Sequence, residues 1–271
     1  MRFMSGGLAR PRNPGLGADF AGTVEEVGGG VKDCRPGDEV FGDMSAFGNG
    51  AFAEYACVRC GLLAPKPRKL SFEQAAAVPM AGVTALQALR DKGRVKAGQS
   101  VLVHGASGGV GTFAVQIAKA LGAEVTAVCG ERDVEQARAL GADRVIDYSK
   151  EDFAGSGRRY DLILGVNGFR KLSAYKRSLS PQGAYVMVGG RPRQIVQGLV
   201  FAPRMSEPGG RRMTSLSASM NWNDLLVMKE LIEAGKVVPV IDRRFGFAEL
   251  PEAMRYLGKG HARGKIVVRV A

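Results

Sequence analysis

The sequence predicts an α/β protein, a doubly wound parallel sheet with a small β-barrel or sandwich piece in front of it. Three observations carry this. Six strand-length apolar runs, at 101–104, 124–129, 144–148, 161–166, 184–188 and 212–217, alternate with helix-sized or loop-sized connections. The first of these strands opens straight into a glycine-rich loop and an amphipathic helix. Ahead of them, the first 65 residues are short strand-like runs punctuated by glycine and proline.

Each element has its own reason. Strands are expected over 21–27, 39–41 and 51–58, separated by Gly28-Gly29-Gly30 and by Arg35-Pro36-Gly37-Asp38. In the second separator Pro fixes φ and Gly supplies the positive φ of a turn. Ser71-Phe72-Glu73-Gln74 starts a helix, with Ser as N-cap and an acid in the first turn, and an Ala-rich run follows to Leu89 across Pro79 and Gly82. The helix after strand 101–104 places Val110, Phe113, Ala114, Ile117, Ala118 and Leu121 on one face, with Gly122 at its C-terminal end. That stripe is core packing. Past Asn221 a helix over 224–234, a strand pair, a helix near 251–257 and a strand over 265–270 follow, and this tail is expected to return to the N-terminal unit.

Composition narrows the function classes. At 271 residues the chain holds one large or two ordinary domains, and 45% hydrophobic with 24% charged residues is globular usage. No apolar run approaches the ~18 residues of a transmembrane helix, so integral membrane association is not expected. Four cysteines, at 34, 57, 60 and 129, are too few for a secreted disulfide scaffold, and the segment 1–7 has no apolar stretch of a secretory signal. The expected compartment is the cytoplasm. A net charge of +12 raises the question of nucleic acid, but no zinc finger, aromatic-basic stretch or basic amphipathic helix accompanies it. A solvated basic surface, with no nucleic-acid partner, is the reading. Glycine at 38 of 271 residues is about twice the usual ~7%, which marks turns, helix ends and close backbone approach.

The chemistry sits in Gly105-Ala106-Ser107-Gly108-Gly109-Val110-Gly111, between strand and helix. Glycines there let the backbone turn sharply and approach a pyrophosphate at the N–H-rich start of a helix. Valine at Gly108 or Gly111 is therefore expected to abolish nucleotide binding and leave the protein soluble. At the end of the second strand an NAD site wants an acid for the ribose hydroxyls. Here Cys129-Gly130 is small and uncharged and Arg132 follows, which suits the 2′-phosphate of NADPH, while Glu131 between them would suit NADH. Both cofactors stay open, with NADPH preferred.

Leu16-Gly17-Ala18-Asp19-Phe20-Ala21-Gly22, Pro36-Gly37-Asp38-Glu39-Val40-Phe41-Gly42, Ala76-Ala77-Val78-Pro79-Met80-Ala81-Gly82-Val83-Thr84-Ala85, Ala142-Asp143-Arg144-Val145-Ile146-Asp147-Tyr148 and Gly260-His261-Ala262-Arg263-Gly264-Lys265, together with the glycine loop, span the chain. In these segments it resembles the medium-chain dehydrogenase/reductase superfamily, in the zinc-independent quinone oxidoreductase branch that includes alkenal/enone reductases. The resemblance implies a Rossmann domain over 83–218 and a truncated GroES-like β-barrel domain over 1–82 and 219–271. It implies NADPH as hydride donor, a quinone or conjugated enone as substrate, and a homodimer through the edge strand at 212–217. It assigns the carboxamide contact to Thr84, the phosphates to Ser107, Gly108, Gly109, Val110 and Gly111, and the adenosine side to Arg132 and Tyr148. Asn167, Gly168, Gly189 and Gly190 fall on the nicotinamide side, and Lys265 near the phosphates. Relatives often show Ser-Thr-Arg where this chain has Gly130-Glu131-Arg132.

Zinc members of the superfamily carry Gly-His-Glu where this chain reads Gly17-Ala18-Asp19, and a four-cysteine lobe that has no counterpart between Phe41 and Ala64. The two histidines, His104 and His261, have no cysteine or acid at ligand spacing, and Cys57-Val58-Arg59-Cys60 reads as part of a strand rather than a metal clip. No zinc or other metal is expected, and His104 is expected to be a packed structural residue. Without a Lewis acid the hydride acceptor must spread its own charge, as quinones and enones do. Family members carry several dozen residues ahead of the segment matching 2–19, so the chain reads as truncated, and no catalytic proton donor is named. The alternative is a cofactor-binding protein without turnover, a regulatory or interaction module.

Overall fold

The structure is a computed structural model that describes residues 15–190 and 192–270. The start segment 1–7, and with it the first 14 residues of the expected N-terminal unit, lies outside the described residues.

Near the N-terminus a three-stranded antiparallel sheet forms from β1 (Asp19–Thr23), β2 (Glu39–Asp43) and β3 (Leu63–Pro65), in that order. The Pro36-Gly37 turn is present: Gly37 takes φ +92° and its N–H donates to the Val24 carbonyl. Strand β1 begins two residues earlier than the sequence suggests, because Asp19 pairs with Asp43, and the ladder ends at Thr23. The expected strand over 51–58 is absent. Residues 53–57 are exposed, so their alternation has no buried face, and a 3₁₀ turn, Cys60–Leu62, leads instead into the short β3.

Two helices follow, α1 (Phe72–Ala76) and α2 (Pro79–Gln87). Ser71 caps α1 as expected, its hydroxyl accepting from the Gln74 amide while the Gln74 side chain accepts from the Ser71 amide. Pro79 ends that helix and occupies the first position of the next.

The six expected strands then form one all-parallel sheet. They are β4 (Ser100–His104), β5 (Glu124–Cys129), β6 (Arg144–Asp147), β7 (Tyr160–Gly165), β8 (Leu179–Met187) and β9 (Arg212–Ser215), in the order β6-β5-β4-β7-β8-β9. Strand β8 starts five residues early, since Leu179 pairs with Tyr160 before a bulge brings Ala184 opposite Leu162. Val101, Leu102 and Val103 are fully buried, as a central strand covered on both faces must be. Helix α3 (Gly109–Ala120) lays Phe113, Ala114, Ile117 and Ala118 into the core, and Gly122 takes φ +81° just beyond it. Burying Phe113 or Ile117 contributes about 1.5–3 kcal/mol each, and Phe113→Ala would cost about 3–5 kcal/mol.

Shorter helices α4 (Val134–Ala139), α5 (Leu172–Arg177) and α6 (Pro192–Val196) lie in the connections. In the tail α7 (Trp222–Glu233) is capped by Asn221, whose side chain accepts from the Asp224 amide, and buried Asp224 bonds Gln87 and Arg90 on the α2 side. Strand β10 (Ile241–Gly246), α8 (Leu250–Gly258) and β11 (Lys265–Arg269) complete the described chain. The expected strand pair ahead of α8 is a single strand, whose parallel partner is β11. At Val238 the Gln116 side chain takes both backbone groups, and Pro239 has no N–H to offer a ladder. The tail meets the N-terminal unit through Arg244–Glu73 and Lys265–Asp19 ion pairs.

Candidate cofactor site

Strand β4 has β5 on one side and β7 on the other: the chain runs β4-β5-β6 in one direction and crosses back to β7-β8-β9 in the other, so the strand order reverses at its carboxyl end. Crevices at such reversals take ligands in open α/β sheets. The glycine loop lies there, anchored by the Gly105 and Ala106 amides, which both donate to the Val128 carbonyl.

Its glycines do different things. A β-carbon on Gly105, at φ +98°, would lie 1.7 Å from the Val166 carbonyl oxygen, and one on Gly111 would lie 2.1 Å from the Gly105 carbonyl oxygen. Both serve close backbone packing. Gly108 has nothing within 4 Å of that position, and as N-cap of α3 it offers no side-chain cap to the first N–H groups. Open space before an uncapped helix start is what a pyrophosphate requires, so the residues present fit that group. At Gly109 the nearest atom would be Lys265 Cδ, at 3.0 Å, which sets the lysine stem against the loop. Ser107 and Val110 are half-buried alongside.

Lys265 Nζ lies 2.7 Å from Asp19 Oδ2, and Asp19 Oδ1 accepts from the Met80 amide at 2.8 Å. Thr84, one turn on, is buried and its hydroxyl reaches Met80 Sδ at 4.0 Å. Asp43, opposite Asp19 in the β1–β2 ladder, is fully buried. Burial pushes its carboxyl up to about 6; Ser45 bonds oppose this and the Asp19 carboxylate reinforces it.

At the next strand end Gly130 faces Tyr148, whose hydroxyl would lie 3.1 Å from a β-carbon there. Arg132 is exposed, and its carbonyl accepts from Arg263, which also pairs with Asp133 at 2.7 Å. Glu131 is exposed too and pairs with Lys150 at 2.6 Å. After β7, Asn167 adopts φ +58°, and its Oδ1 would lie 3.7 Å from a Gly189 β-carbon. The same construction at Gly190, φ +149°, meets Gln194, and at Gly168 it meets the His104 ring. His104 is buried, with Nδ1 2.8 Å from the Tyr175 hydroxyl and an edge-on contact to Phe153; burial first, and Arg170 second, push it down to about 4. It is a neutral packing residue, as expected.

The structure thus brings together Lys265 with Gly109, Tyr148 with Gly130, and Asn167 with Gly189. Sequence reasoning missed Asp19 and Arg263 as partners of these residues, although both lie inside segments that carried the resemblance.

Residues 140–268 match a family described as zinc-binding dehydrogenase, and residues 1–68 match the alcohol dehydrogenase GroES-like domain. The chain is 36% identical over 259 residues to a chloroplast envelope quinone oxidoreductase homolog of Arabidopsis thaliana, covering 92% of this chain and 78% of that one. The chain belongs to the medium-chain dehydrogenase/reductase superfamily, in its quinone oxidoreductase-like branch. An NADPH-dependent alkenal/one oxidoreductase of Arabidopsis thaliana is 35% identical over 266 residues, or 93% of this chain and 63% of that one. The solved quinone oxidoreductase of Coxiella burnetii superposes with TM-score 0.83 at 34% identity, over 95% of this chain and 80% of that one.

As a medium-chain dehydrogenase/reductase, the protein is an oxidoreductase with a Rossmann-like sheet and a GroES-like domain. Among the described residues no group of three or more His, Cys, Asp or Glu could hold a metal ion, and no helix is long and apolar enough to cross a membrane.

Proposed function

We propose that this oxidoreductase uses NADPH, works without zinc, and passes hydride to a quinone or an α,β-unsaturated carbonyl. The observation that carries the reading is the start of α3: Gly108 has clear space before it, no side chain caps the helix, and Lys265 lies against the loop. In this reading Ser107, Gly108, Gly109, Val110 and Gly111 form the phosphate cradle and Lys265 adds charge beside it. Arg132 takes the 2′-phosphate and Tyr148 flanks the adenosine. Asn167, Gly189 and Gly190 border the nicotinamide, with Thr84 offering a buried hydroxyl to the carboxamide.

When bound, the cofactor supplies the hydride. A conjugated acceptor disperses the developing charge itself, so the chain's own residues contribute orientation and exclusion of water. The names of the relatives, a quinone oxidoreductase homolog and an alkenal/one oxidoreductase, support these two acceptor classes. Ala18, standing where zinc members carry His, supports a metal-independent site.

The reading goes with a division into residues 83–218 for the cofactor and residues 1–82 with 219–271 for the acceptor. The boundary at 82/83 falls inside α2, which serves both. Strand β9 is an edge strand, paired on one side by β8, and supports a homodimer across that edge. Four cysteines in 271 residues, too few for a secreted disulfide scaffold, support a compartment such as the cytoplasm.

The test is NADPH oxidation by the full chain, followed by absorbance, with quinones, short alkenals and saturated aldehydes, with and without EDTA. Turnover with the conjugated acceptors alone, unchanged by EDTA, is expected. Turnover confined to saturated aldehydes, or lost on chelation, overturns the reading. Binding of NADPH without turnover of any acceptor replaces it with a cofactor-binding module.

A further inference from the structure

Cys57-Val58-Arg59-Cys60 invites attention to a C-x-x-C pair, but the structure pairs Cys60 with a different cysteine. Cys34 Sγ and Cys60 Sγ lie 3.7 Å apart, across 26 residues of sequence. Cys34 sits in the connection between β1 and β2, after Gly28-Gly29-Gly30, and Cys60 opens the 3₁₀ turn before β3. Both strands flanking those segments are hydrogen-bonded to β2, so the sheet itself brings the thiols together.

Each cysteine is half-buried, and both line a cavity of about 180 Å³ shared with Asp33, Asp38 and Trp222. At 3.7 Å the sulfurs are in contact as thiols, and a disulfide needs about 2.05 Å. The hairpin connection can supply that approach, because Gly28, Gly29 and Gly30 have open space around them.

We propose that Cys34 and Cys60 are a reversible dithiol/disulfide site, oxidised by a peroxide, that clamps the β1–β2 connection onto the start of β3. The step balances with hydrogen peroxide. The Cys60 thiolate attacks one peroxide oxygen, the O–O bond breaks, and hydroxide leaves, giving a sulfenic acid. The Cys34 thiol then attacks that sulfur, the S–O bond breaks and water leaves. Two thiols lose two electrons and two protons, and peroxide becomes two waters. Burial pushes the Cys34 thiol up, and the neighbouring Cys60, Asp38 and Asp33 add to it, which suits Cys34 to the second step. A dithiol reductant reverses the bond by exchange.

The molecule carries its own reporter. Trp222 is the single tryptophan and borders the same cavity as the sulfur pair, so its emission serves as the reporter. The experiment treats the full chain with hydrogen peroxide, blocks remaining thiols by alkylation, and maps peptides without reduction. Expected are a Cys34–Cys60 linked peptide, two of the four cysteines left alkylatable, and quenched Trp222 emission, all restored by dithiothreitol. Closing a loop of this size should also raise the melting temperature by about 5–10 °C before reduction. Cys34→Ser and Cys60→Ser should each abolish the link and the quenching, and Cys57→Ser should leave both. A Cys57–Cys60 link, sulfinic acid at Cys60 without a link, or four alkylatable thiols after peroxide would each overturn the proposal. The wild-type peptide map alone decides between these outcomes, whether or not a variant folds.

Discussion

Lys265 and Asp19 form an ion pair 2.7 Å long between the first strand and the last, 246 residues apart. Both side chains are largely buried, at 21% and 14% exposed. Asp19 also accepts from the Met80 amide at the start of α2, and the Lys265 stem lies against Gly109. One carboxylate therefore ties the N-terminal sheet, α2 and β11 to the edge of the glycine loop. Asp19 holds the Lys265 ammonium at 2.7 Å, beside the loop.

Asp19→Asn keeps an acceptor for the Met80 amide but removes the charge opposite Lys265. A mostly buried ammonium left unpaired costs about 1–3 kcal/mol here, less than the ~3–5 of a fully buried pair. A lower melting temperature is expected, with much of the loss restored in Asp19→Asn/Lys265→Met. An unchanged melting curve for the single variant would show that the pair carries no stability.

Gly108 and Gly111 are both read from the sequence as ligand-facing, and the structure separates them. Gly108→Val meets only open space at φ −78°, so the fold should lose less than about 0.5 kcal/mol. NADPH binding, by fluorescence titration, should weaken at least about a hundredfold as the branch fills the phosphate's place. Gly111→Ala instead drives a β-carbon to 2.1 Å from the Gly105 carbonyl, and the loop must shift at a cost of about 1–3 kcal/mol or more. Equal loss of binding in both variants with neither destabilised is the result that contradicts this separation.

That contrast shows what the sequence can and cannot disclose. The β4–loop–α3 unit is legible because its strand, loop and helix signals are contiguous, and the apolar stripe of Phe113, Ala114 and Ile117 has a definite period. The 51–58 segment has strand-like residues but no burial pattern to orient, so its alternation carries no information about pairing. The tail strand at 241–246 has its partner 24 residues on, at Lys265, and no local signal predicts a parallel neighbour at that distance. Asp19, Asp43 and Lys265 converge only through register: Asp19 stands opposite Asp43 because β1 pairs two residues earlier than its apolar run begins. Of the site, the glycine loop could be derived from residues, whereas Thr84, Tyr148, Asn167 and Lys265 came from the resemblance.

Asp43 should make the protein less stable as pH rises. Its folded value of about 6 lies above an unfolded carboxyl near 4, so the folded state holds the proton more tightly across that interval. Its contribution is greatest below pH ~4, falls as pH rises through ~6, and is about 3 kcal/mol lower above that. The geometry agrees, since Oδ2 has no hydrogen-bond partner among the described residues, and a proton there would make Asp19 its acceptor. Asp43→Asn supplies an N–H permanently. It should raise the melting temperature relative to wild type at pH 7, with the difference vanishing near pH 4. A variant that is less stable at pH 7 with the wild-type pH slope would refute the assignment.

Cofactor choice turns on Arg132 and Glu131. Glu131 is already engaged by Lys150 at 2.6 Å, and Lys150 lies 3.7 Å from Asp147 as well, so the acid is drawn toward β6 rather than left free for a ribose. The Arg132 guanidinium makes no ion pair among the described residues, while its backbone is fixed by Arg263, itself anchored on Asp133. Two arginines therefore stand near the Gly130 strand end, where the proposed function puts the 2′-phosphate. Charge-assisted pairs of this kind are worth about 1.5–3 kcal/mol, or roughly ten- to a hundredfold in affinity. Arg132→Ala should weaken NADPH by about that factor and leave NADH nearly unchanged, and Glu131→Ala should alter neither by more than about twofold. Titration of both cofactors against wild type and the two variants checks this. Equal wild-type affinity for NADH and NADPH, with NADH binding lost selectively in Glu131→Ala, would make Glu131 the ribose ligand and NADH the physiological donor.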